Sequence, residues 1–123
     1  MILEPFASGS EAPWEEVGSG VRRQILCRRP ELMMMRVLFA EGAVGPPHAH
    51  PHVQCSYVEE GAFDVTIGGI ARRLGRGDSF IVPPDVMHGV VAREAGSLVD
   101  VFTPWREDIL SSAALARSAQ RET

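Results

Sequence analysis

The sequence predicts an all-β protein, a small sandwich or barrel with one short helix near its carboxy-terminal end. Glycine and proline punctuate the middle of the chain at short intervals, and the segments between them are rich in Val, Ile, Leu, Phe and Met. At 123 residues the chain has the length of about one domain, so we expect residues 1–123 to form a single unit. Within it we expect a barrel over about 21–103, an arm over 1–20, and a helix and tail over 104–123.

Eight segments are predicted to be strands because apolar and β-branched residues alternate there between turn signals. They are Val21–Cys27, Met33–Ala40, Val53–Glu59, Phe63–Ile67, Ile70–Leu74, Ser79–Val82, Gly89–Arg93 and Leu98–Thr103. Gly68-Gly69 is a signal for a two-residue hairpin, since glycine adopts the positive φ angles that such turns require. The three methionines from Met33 to Met35 alternate along a predicted strand and are expected to pack in the core.

The two ends of the chain differ from its middle. The segment up to about Ser19 mixes polar and small residues with proline, and no regular element is predicted there. Thr103 and Pro104 fit an N-cap and the first position of a helix, and acidic residues follow. We therefore expect a short helix that frays beyond about Arg117.

Composition excludes several classes of function. The net charge is −4 and the basic residues are scattered, so there is no basic patch for nucleic acid. The chain contains no lysine, which excludes Schiff-base chemistry and a Walker-type phosphate loop. No apolar run approaches the roughly 20 residues of a membrane span, and the first residues do not resemble a signal peptide. We expect a cytoplasmic protein whose two cysteines, Cys27 and Cys55, are small core residues.

Three of the four histidines lie in the stretch "GPPHAHPHVQ", residues 45–54. Side chains two residues apart on a strand face the same way, so His48 and His50 are expected to project together, with Gln54 in the same register. His52 shares their parity, but Pro51 favours a bend before it, so we place His52 at the rim.

The fourth histidine, His88, lies far along the chain in the context "GDSFIVPPDVMHGV". A barrel could bring it back across to the first three. Three imidazoles and one amide oxygen would hold a metal ion and leave positions open for water or substrate. The competing interpretation is a surface histidine tract that binds metal adventitiously.

The two histidine segments together resemble the two motifs of the cupin superfamily. The matching residues are Gly45, His48, His50, Gln54 and Gly61 in the first motif and Gly77, Pro83 and His88 in the second. The first glycine-to-histidine gap is shorter than usual, and Asp85 and Ala92 depart from the second motif. The resemblance implies a double-stranded β-helix, a jelly-roll-like barrel. It also implies one divalent transition metal, Ni, Zn, Mn or Fe, bound by His48, His50, Gln54 and His88.

The stretch "LVDVFTPWREDIL", residues 98–110, resembles the carboxy-terminal signature of the pectin-degradation cupins that linearise unsaturated uronates. In that family the matching aspartate, phenylalanine and arginine line the pocket, which implies roles for Asp100, Phe102 and Arg106. A buried aspartate could act as general acid and base, and an arginine could clamp the carboxylate of a sugar acid. Phe102 would form an apolar wall, and Tyr57 is a further candidate for substrate binding.

The resemblance thus implies a metal-dependent enzyme that converts a cyclic unsaturated uronate, a sugar acid derived from pectin or alginate, to its linear keto form. One alternative is an iron-dependent cupin dioxygenase, and another is a cupin that binds a sugar acid without turnover. For Arg106 alone, a surface ion pair with Glu107 or Asp108 is the ordinary alternative. A homodimer joined through sheet edges is also expected, with neither nucleic acid nor membrane as a partner.

Overall fold

The computed structural model describes residues 4–111 of the chain, and ten strands form most of this part. The strands are β1 (Trp14–Gly18), β2 (Val21–Arg29), β3 (Leu32–Phe39), β4 (Val44–His48), β5 (Val53–Glu60), β6 (Ala62–Ile67), β7 (Ile70–Gly75), β8 (Ser79–Val82), β9 (His88–Ala92) and β10 (Gly96–Thr103). A helix begins at residue 107 and is described as far as residue 111.

The strands form two antiparallel sheets whose order requires repeated crossings of the chain from one sheet to the other. The larger sheet has the order β1-β2-β3-β10-β5-β8, and the smaller has the order β4-β9-β6-β7. The predicted all-β class is therefore confirmed. None of the helical structure within residues 4–111 has the length and apolar character needed to cross a membrane.

The hydrophobic core is built from the inward-facing positions of both sheets. On β3, Met33, Met35, Val37 and Phe39 are buried while the residues between them are less so. This alternation follows from the period of two in a strand. It confirms core packing for Met33 and Met35, whereas Met34 lies on the opposite face of β3 and is not buried, so the prediction is wrong for that residue. The ring of Phe39 meets that of Phe63 from the smaller sheet edge to face, with centroids 5.2 Å apart.

Two glycine positions are required by the turns that connect the strands. Gly68 and Gly69 have φ angles of 55° and 82° and form the predicted hairpin between β6 and β7. At the other end of the barrel a Cβ on Gly96 would lie 2.2 Å from the carbonyl oxygen of Glu60. Only glycine permits this close approach of two backbones, where the register of β5 and β10 shifts.

The prediction missed two strands, β1 and β4, and both lie at sheet edges. β4 has the sequence "VGPPH", and two prolines in five residues do not look like a strand. An edge strand tolerates them because half of its backbone donors need no partner in the sheet. β1 similarly pairs with β2 alone, so the prediction that no regular element precedes Ser19 is wrong.

The carboxy-terminal helix is present, but it begins later than predicted. Thr103 is the last residue of β10 and still pairs with Val53, so it does not cap the helix. The expected fraying beyond Arg117 lies outside the described residues. The prediction of core cysteines is also wrong, because Cys27 and Cys55 are both exposed. Cys55 alternates with the inward residues of β5 and therefore lies on its outer face.

Candidate metal centre

Three histidines converge at one end of the space between the two sheets. His48 ends β4 and lies directly opposite His88, which begins β9, and their ring centroids are 4.3 Å apart. His50 lies 5.5 Å from His48 and 4.9 Å from His88, again between ring centroids. One possible ligand atom from each of the three lies within 4.8 Å of the others, so a single ion could contact all three.

Backbone carbonyl groups fix the orientation of two of these rings. Nδ1 of His48 donates to the carbonyl oxygen of Pro46 and Nδ1 of His88 donates to that of Val86, both at 2.9 Å. Because each proton then lies on Nδ1, each Nε2 carries a lone pair, as metal ligation requires. Nε2 of His88 is buried and has no hydrogen-bond partner among the described residues. An ion at this point would satisfy it.

Gln54 provides a fourth possible ligand from β5. Its Oε1 lies 3.0 Å from Nε2 of His50, and its Nε2 donates to Oγ of Ser56 at 3.0 Å. The bond to Ser56 orients the amide so that its oxygen faces the histidines. Metal–nitrogen and metal–oxygen bonds are about 2.0–2.2 Å long, so two neighbouring ligands on one ion lie about 3.0–3.5 Å apart. The residues present therefore fit a divalent transition metal.

The electrostatics of the cluster also favour metal ligation. Burial lowers the pKa of both His50 and His88, and the positive charge of Arg106 lowers the pKa of His50 further. Both imidazoles are consequently neutral at pH 7 and have a nitrogen lone pair available.

The way in which the chain brings these ligands together differs from the prediction. His48 and His50 do not share a strand with Gln54, because β4 ends at His48 and β5 begins only at Val53. A bend at Pro51 and His52 separates the two strands and directs His50 back toward the others. His52 lies beside His50, with ring centroids 5.3 Å apart, but it is not part of the three-histidine cluster.

A cavity of about 540 Å³ extends from this cluster between the sheets. Its volume is in the range of small-molecule sites and its walls are mainly apolar. The polar and aromatic side chains that line it include His48, Gln54, His88, Asp100, Phe102 and Arg106. The structure thus brings two histidines of the cluster, His48 and His88, and the predicted pocket residues of β10 to one cavity.

Asp100 is a buried carboxyl group in the wall of this cavity. It faces inward on β10, as does Phe102, and this agrees with their strand parity. Its Oδ1 accepts a hydrogen bond of 2.6 Å from Oγ of Ser56, so a chain of hydrogen bonds runs from Gln54 through Ser56 to Asp100. Burial raises the pKa of Asp100 to about 6, although the Ser56 hydrogen bond and the charge of Arg106 oppose this rise.

Arg106 lies against Phe102 at the start of the helix. Its side chain is only 11% exposed, and its guanidinium carbon is 5.0 Å from the centroid of the Phe102 ring. Nε and Nη2 donate to the two carboxylate oxygens of Asp108 at 3.1 and 2.8 Å, which lowers the pKa of Asp108 to about 2. These bonds use two of the five N–H groups of arginine. The ion pair with Asp108 therefore exists, but the guanidinium also lines the cavity.

One predicted site residue lies elsewhere, and one site residue was missed. Tyr57 is 48% exposed and alternates with the inward-facing Ser56 and Val58, so its expected place in the cavity is wrong. Ser56 was not singled out, although it lies two residues from Gln54 and so shares its face. Strand parity alone would have identified it.

The two facing sheets and the histidine cluster together define a cupin. A model of the cupin domain matches residues 35–102, which is more than half of the chain. The pectin degradation protein KdgF of Dickeya dadantii (strain 3937) is 48% identical over 102 residues, covering 81% of this chain and 93% of that protein. The chain therefore belongs to the cupin family, and within it to the group that includes KdgF.

Solved structures agree with this assignment. The structure of KdgF from Halomonas sp. shares 44% sequence identity at a TM-score of 0.82, and the match covers 87% of this chain and 99% of that one. An RmlC-like cupin from Shewanella frigidimarina NCIMB 400 shares 46% identity at a TM-score of 0.84, covering 87% and 96% of the two chains. The double-stranded β-helix expected from the sequence is therefore confirmed.

Proposed function

We propose that this protein converts a cyclic unsaturated uronate, derived from pectin or alginate, to its linear keto form, with one divalent transition metal as cofactor. The observation that carries the proposal is the position of Asp100, a buried carboxyl group in the same cavity as His48, His88 and Arg106. The similarity to the pectin degradation protein KdgF supports this choice of substrate class.

The metal would be held by His48, His50, His88 and Gln54. When bound, it would supply Lewis-acid polarisation of a substrate oxygen. Gln54 contributes no negative charge, so the positive charge of the ion would be less compensated than with a glutamate in its place. This favours polarisation over oxygen-activating chemistry.

Arg106 would bind the carboxylate of the substrate. Asp108 occupies two of its N–H groups, and the other three are free of that bond and can donate to a carboxylate. The contact of Arg106 with Phe102 holds the guanidinium plane in place. Phe102 is 1% exposed and would form an apolar wall beside the sugar ring of the substrate. The sugar acid would thus be oriented by its charged end.

Asp100 would move the proton that the isomerisation requires. Its carboxylate removes the proton of the anomeric hydroxyl, and the bond between C1 and the ring oxygen breaks to give an aldehyde and an enolate at C5. The resulting carboxylic acid returns a proton to C4, which converts the enolate to a ketone. No proton is gained or lost overall, so one group suffices. A pKa of about 6 suits both transfers near neutral pH.

The test is to incubate metal-loaded protein with unsaturated galacturonate and to follow the loss of ultraviolet absorbance as the conjugated double bond disappears. We expect Asp100→Asn to slow the reaction by about 100-fold or more, the ordinary contribution of a general acid and base. Glu94→Gln, at an exposed position in a bend, is the matched control and should behave as the unaltered protein.

Two results would contradict the proposal. Equal rates for the unaltered protein and Asp100→Asn would end the role of Asp100. No loss of absorbance with uronates from either pectin or alginate would end the proposed function itself. Repeating the assay without oxygen tests the dioxygenase alternative, because ring opening consumes no oxygen and its rate should not change.

A further inference from the structure

A second arginine, Arg23, lines the same cavity from β2. It occupies an inward position, since Val21 and Ile25 on either side of it in the alternation are buried core residues. Its side chain is 20% exposed, whereas that of the neighbouring Arg22, on the opposite face, is 48% exposed. A guanidinium among apolar side chains is costly to bury, so its presence at this position needs an explanation.

Part of the explanation is an ion pair with the edge strand. Glu15 of β1 lies directly opposite Arg23 in the register, and its Oε1 accepts a hydrogen bond from Nε at 2.6 Å. This bond leaves the four N–H groups of the two Nη atoms outside it. Arg23 is thus anchored in the way that Arg106 is anchored by Asp108, with donors remaining outside the ion pair.

The strand register shows that Arg23 and Arg106 approach the cavity from different ends. Asp100 pairs with Met35, which pairs with Ile25, and Arg23 lies two residues before Ile25 on β2. From strand spacings of about 4.8 Å and a rise of about 3.4 Å per residue, the Cα atoms of Arg23 and Asp100 are about 12 Å apart. Phe102, which contacts Arg106, is displaced in the opposite direction along the strands.

We propose that Arg23 is a substrate-binding residue that sets specificity by donating hydrogen bonds to the neighbouring hydroxyl groups at C2 and C3 of the uronate. This inference rests on the proposed function. In a 4,5-unsaturated uronate the carboxylate is attached at C5, and C2 lies across the ring from it. A substrate held by Arg106 at its carboxylate therefore presents these hydroxyl groups to the end of the cavity where Arg23 lies.

The chemistry of the possible substrates gives this contact a consequence for specificity. The unsaturated uronates from pectin and from alginate have the same constitution and differ in the relative configuration of the hydroxyl groups at C2 and C3. Arg106, Asp100 and the histidines meet groups that the two substrates share. A residue that binds the C2 and C3 hydroxyl groups can distinguish them, because the wrong configuration leaves a buried donor unpaired.

The test compares Arg23→Gln with Arg22→Gln, a matched change at the adjacent outward position. kcat and KM are measured for metal-loaded protein with the uronates from pectin and from alginate. We expect Arg23→Gln to raise KM for the preferred uronate about 10-fold or more with a smaller change in kcat, and to reduce the ratio of kcat/KM between the two uronates. Arg22→Gln should change neither quantity. Equal parameters for the two variants would overturn the proposal.

A purely structural role for Arg23 predicts a different pattern. If Arg23 only anchored β1, then Glu15→Gln, which removes the acceptor and retains the guanidinium, would change KM and Tm as much as Arg23→Gln does. We expect instead that Glu15→Gln lowers Tm but retains the preference between the uronates. We also expect Arg23→Lys, which keeps a charge for Glu15 without the forked donors, to keep Tm and lose that preference.

Failure of the proposed function can be distinguished from failure of this inference. Turnover by the unaltered protein tests the function, and the comparison of variants tests Arg23. Should the unaltered protein turn over neither uronate, calorimetric titration with saturated galacturonate still compares binding to it and to Arg23→Gln. Weaker binding by Arg23→Gln than by Arg22→Gln supports the role of Arg23, and equal binding overturns it.

Discussion

The inward-facing side chains of the paired strands β5 and β10 are mostly polar at one end of the pair and apolar at the other, although they lie on the same face of the same antiparallel pair. At one end three of the four inward residues are polar, with Gln54 opposite Phe102 and Ser56 opposite Asp100. One step further Val58 lies opposite Leu98, and both are apolar and almost fully buried. Polar side chains at inward positions persist only when they are satisfied, as the hydrogen bonds through Ser56 show. The site thus occupies the end where the apolar alternation is interrupted.

The largest expected effect is the loss of metal binding at the polar end. His88→Ala removes one of three converging imidazoles and should abolish the binding of about one ion per chain. Elemental analysis after dialysis against the metal measures this. Met87→Ala, at the neighbouring position that is 56% exposed, should retain the ion. Equal metal content in both variants would show that the cluster does not bind metal.

In the apolar core between the sheets we expect a large loss of stability without a loss of chemistry. Phe63 is fully buried and packs against Phe39, so Phe63→Ala should lower the free energy of unfolding by about 3–5 kcal/mol. Phe63→Leu should cost less and leave kcat per folded molecule unchanged. Urea unfolding measures the cost, with Ile70→Ala, at a residue 68% exposed, as the control. A fall in kcat for Phe63→Leu as large as that for Asp100→Asn would remove the distinction between the apolar core and the polar site.

The ionisation of Asp100, at the polar end, should make the stability of the folded protein depend on pH. Its pKa is about 6 in the folded protein and 3.8 in the unfolded chain, so its ionisation penalises the folded state as the pH rises through this range. In metal-free protein, the stability of Asp100→Asn relative to the unaltered protein should therefore increase from pH 4 to pH 7, by on the order of 2–3 kcal/mol.

The difference between the two proteins is the quantity to measure. The pKa values of His50 and His88 are lowered, so these residues reduce stability as the pH falls below about 6.5, opposite in sign to Asp100. This contribution is common to both proteins and cancels in the difference. Chemical denaturation at several pH values with a chelator present gives the result, and a difference independent of pH would contradict a raised pKa for Asp100.

The smallest expected effect concerns Ser56, which links the candidate metal ligand Gln54 to the carboxyl group of Asp100. Ser56→Ala removes the donor to Asp100 and the acceptor of the Gln54 amide. We expect metal affinity to fall about 10-fold, as when a group that orients a ligand is lost. The pKa of Asp100 should also rise, moving the pH profile of kcat/KM to higher pH. Ser79→Ala, at an exposed position on β8, should change neither property.

Most of the strand pattern could be predicted from the sequence because both sheets follow a regular alternation. The eight predicted strands correspond to β2, β3 and β5–β10, with ends shifted by a few residues. β1 and β4 could not be predicted in this way, since an edge strand has fewer partners and places weaker demands on its sequence. The prolines of β4 are tolerated for this reason.

The candidate site was less accessible to prediction than the strands. The direction of Asp100 and Phe102 follows from parity, and the structure agrees with it. The pairing of His48 with His88 depends on which strands meet in the smaller sheet, and no local pattern encodes this. Tyr57 was misplaced because its chemistry, and not its parity, suggested a role. Arg23 shares the parity of Val21 and Ile25, so its inward position follows from the sequence, but its ion pair with Glu15 depends on β1, which was not predicted.

The pairing of His48 with His88 has a consequence for the local stability of the edge strand β4. β4 is an edge strand in which Pro46 and Pro47 donate no backbone hydrogen bonds, and it meets only β9. An ion bound by both facing imidazoles would therefore also join this strand to its neighbour. Removal of the metal by a chelator should therefore destabilise β4, the edge strand of the smaller sheet, before the other strands. Amide hydrogen exchange should become faster in β4 while it is still slow in the rest of the molecule.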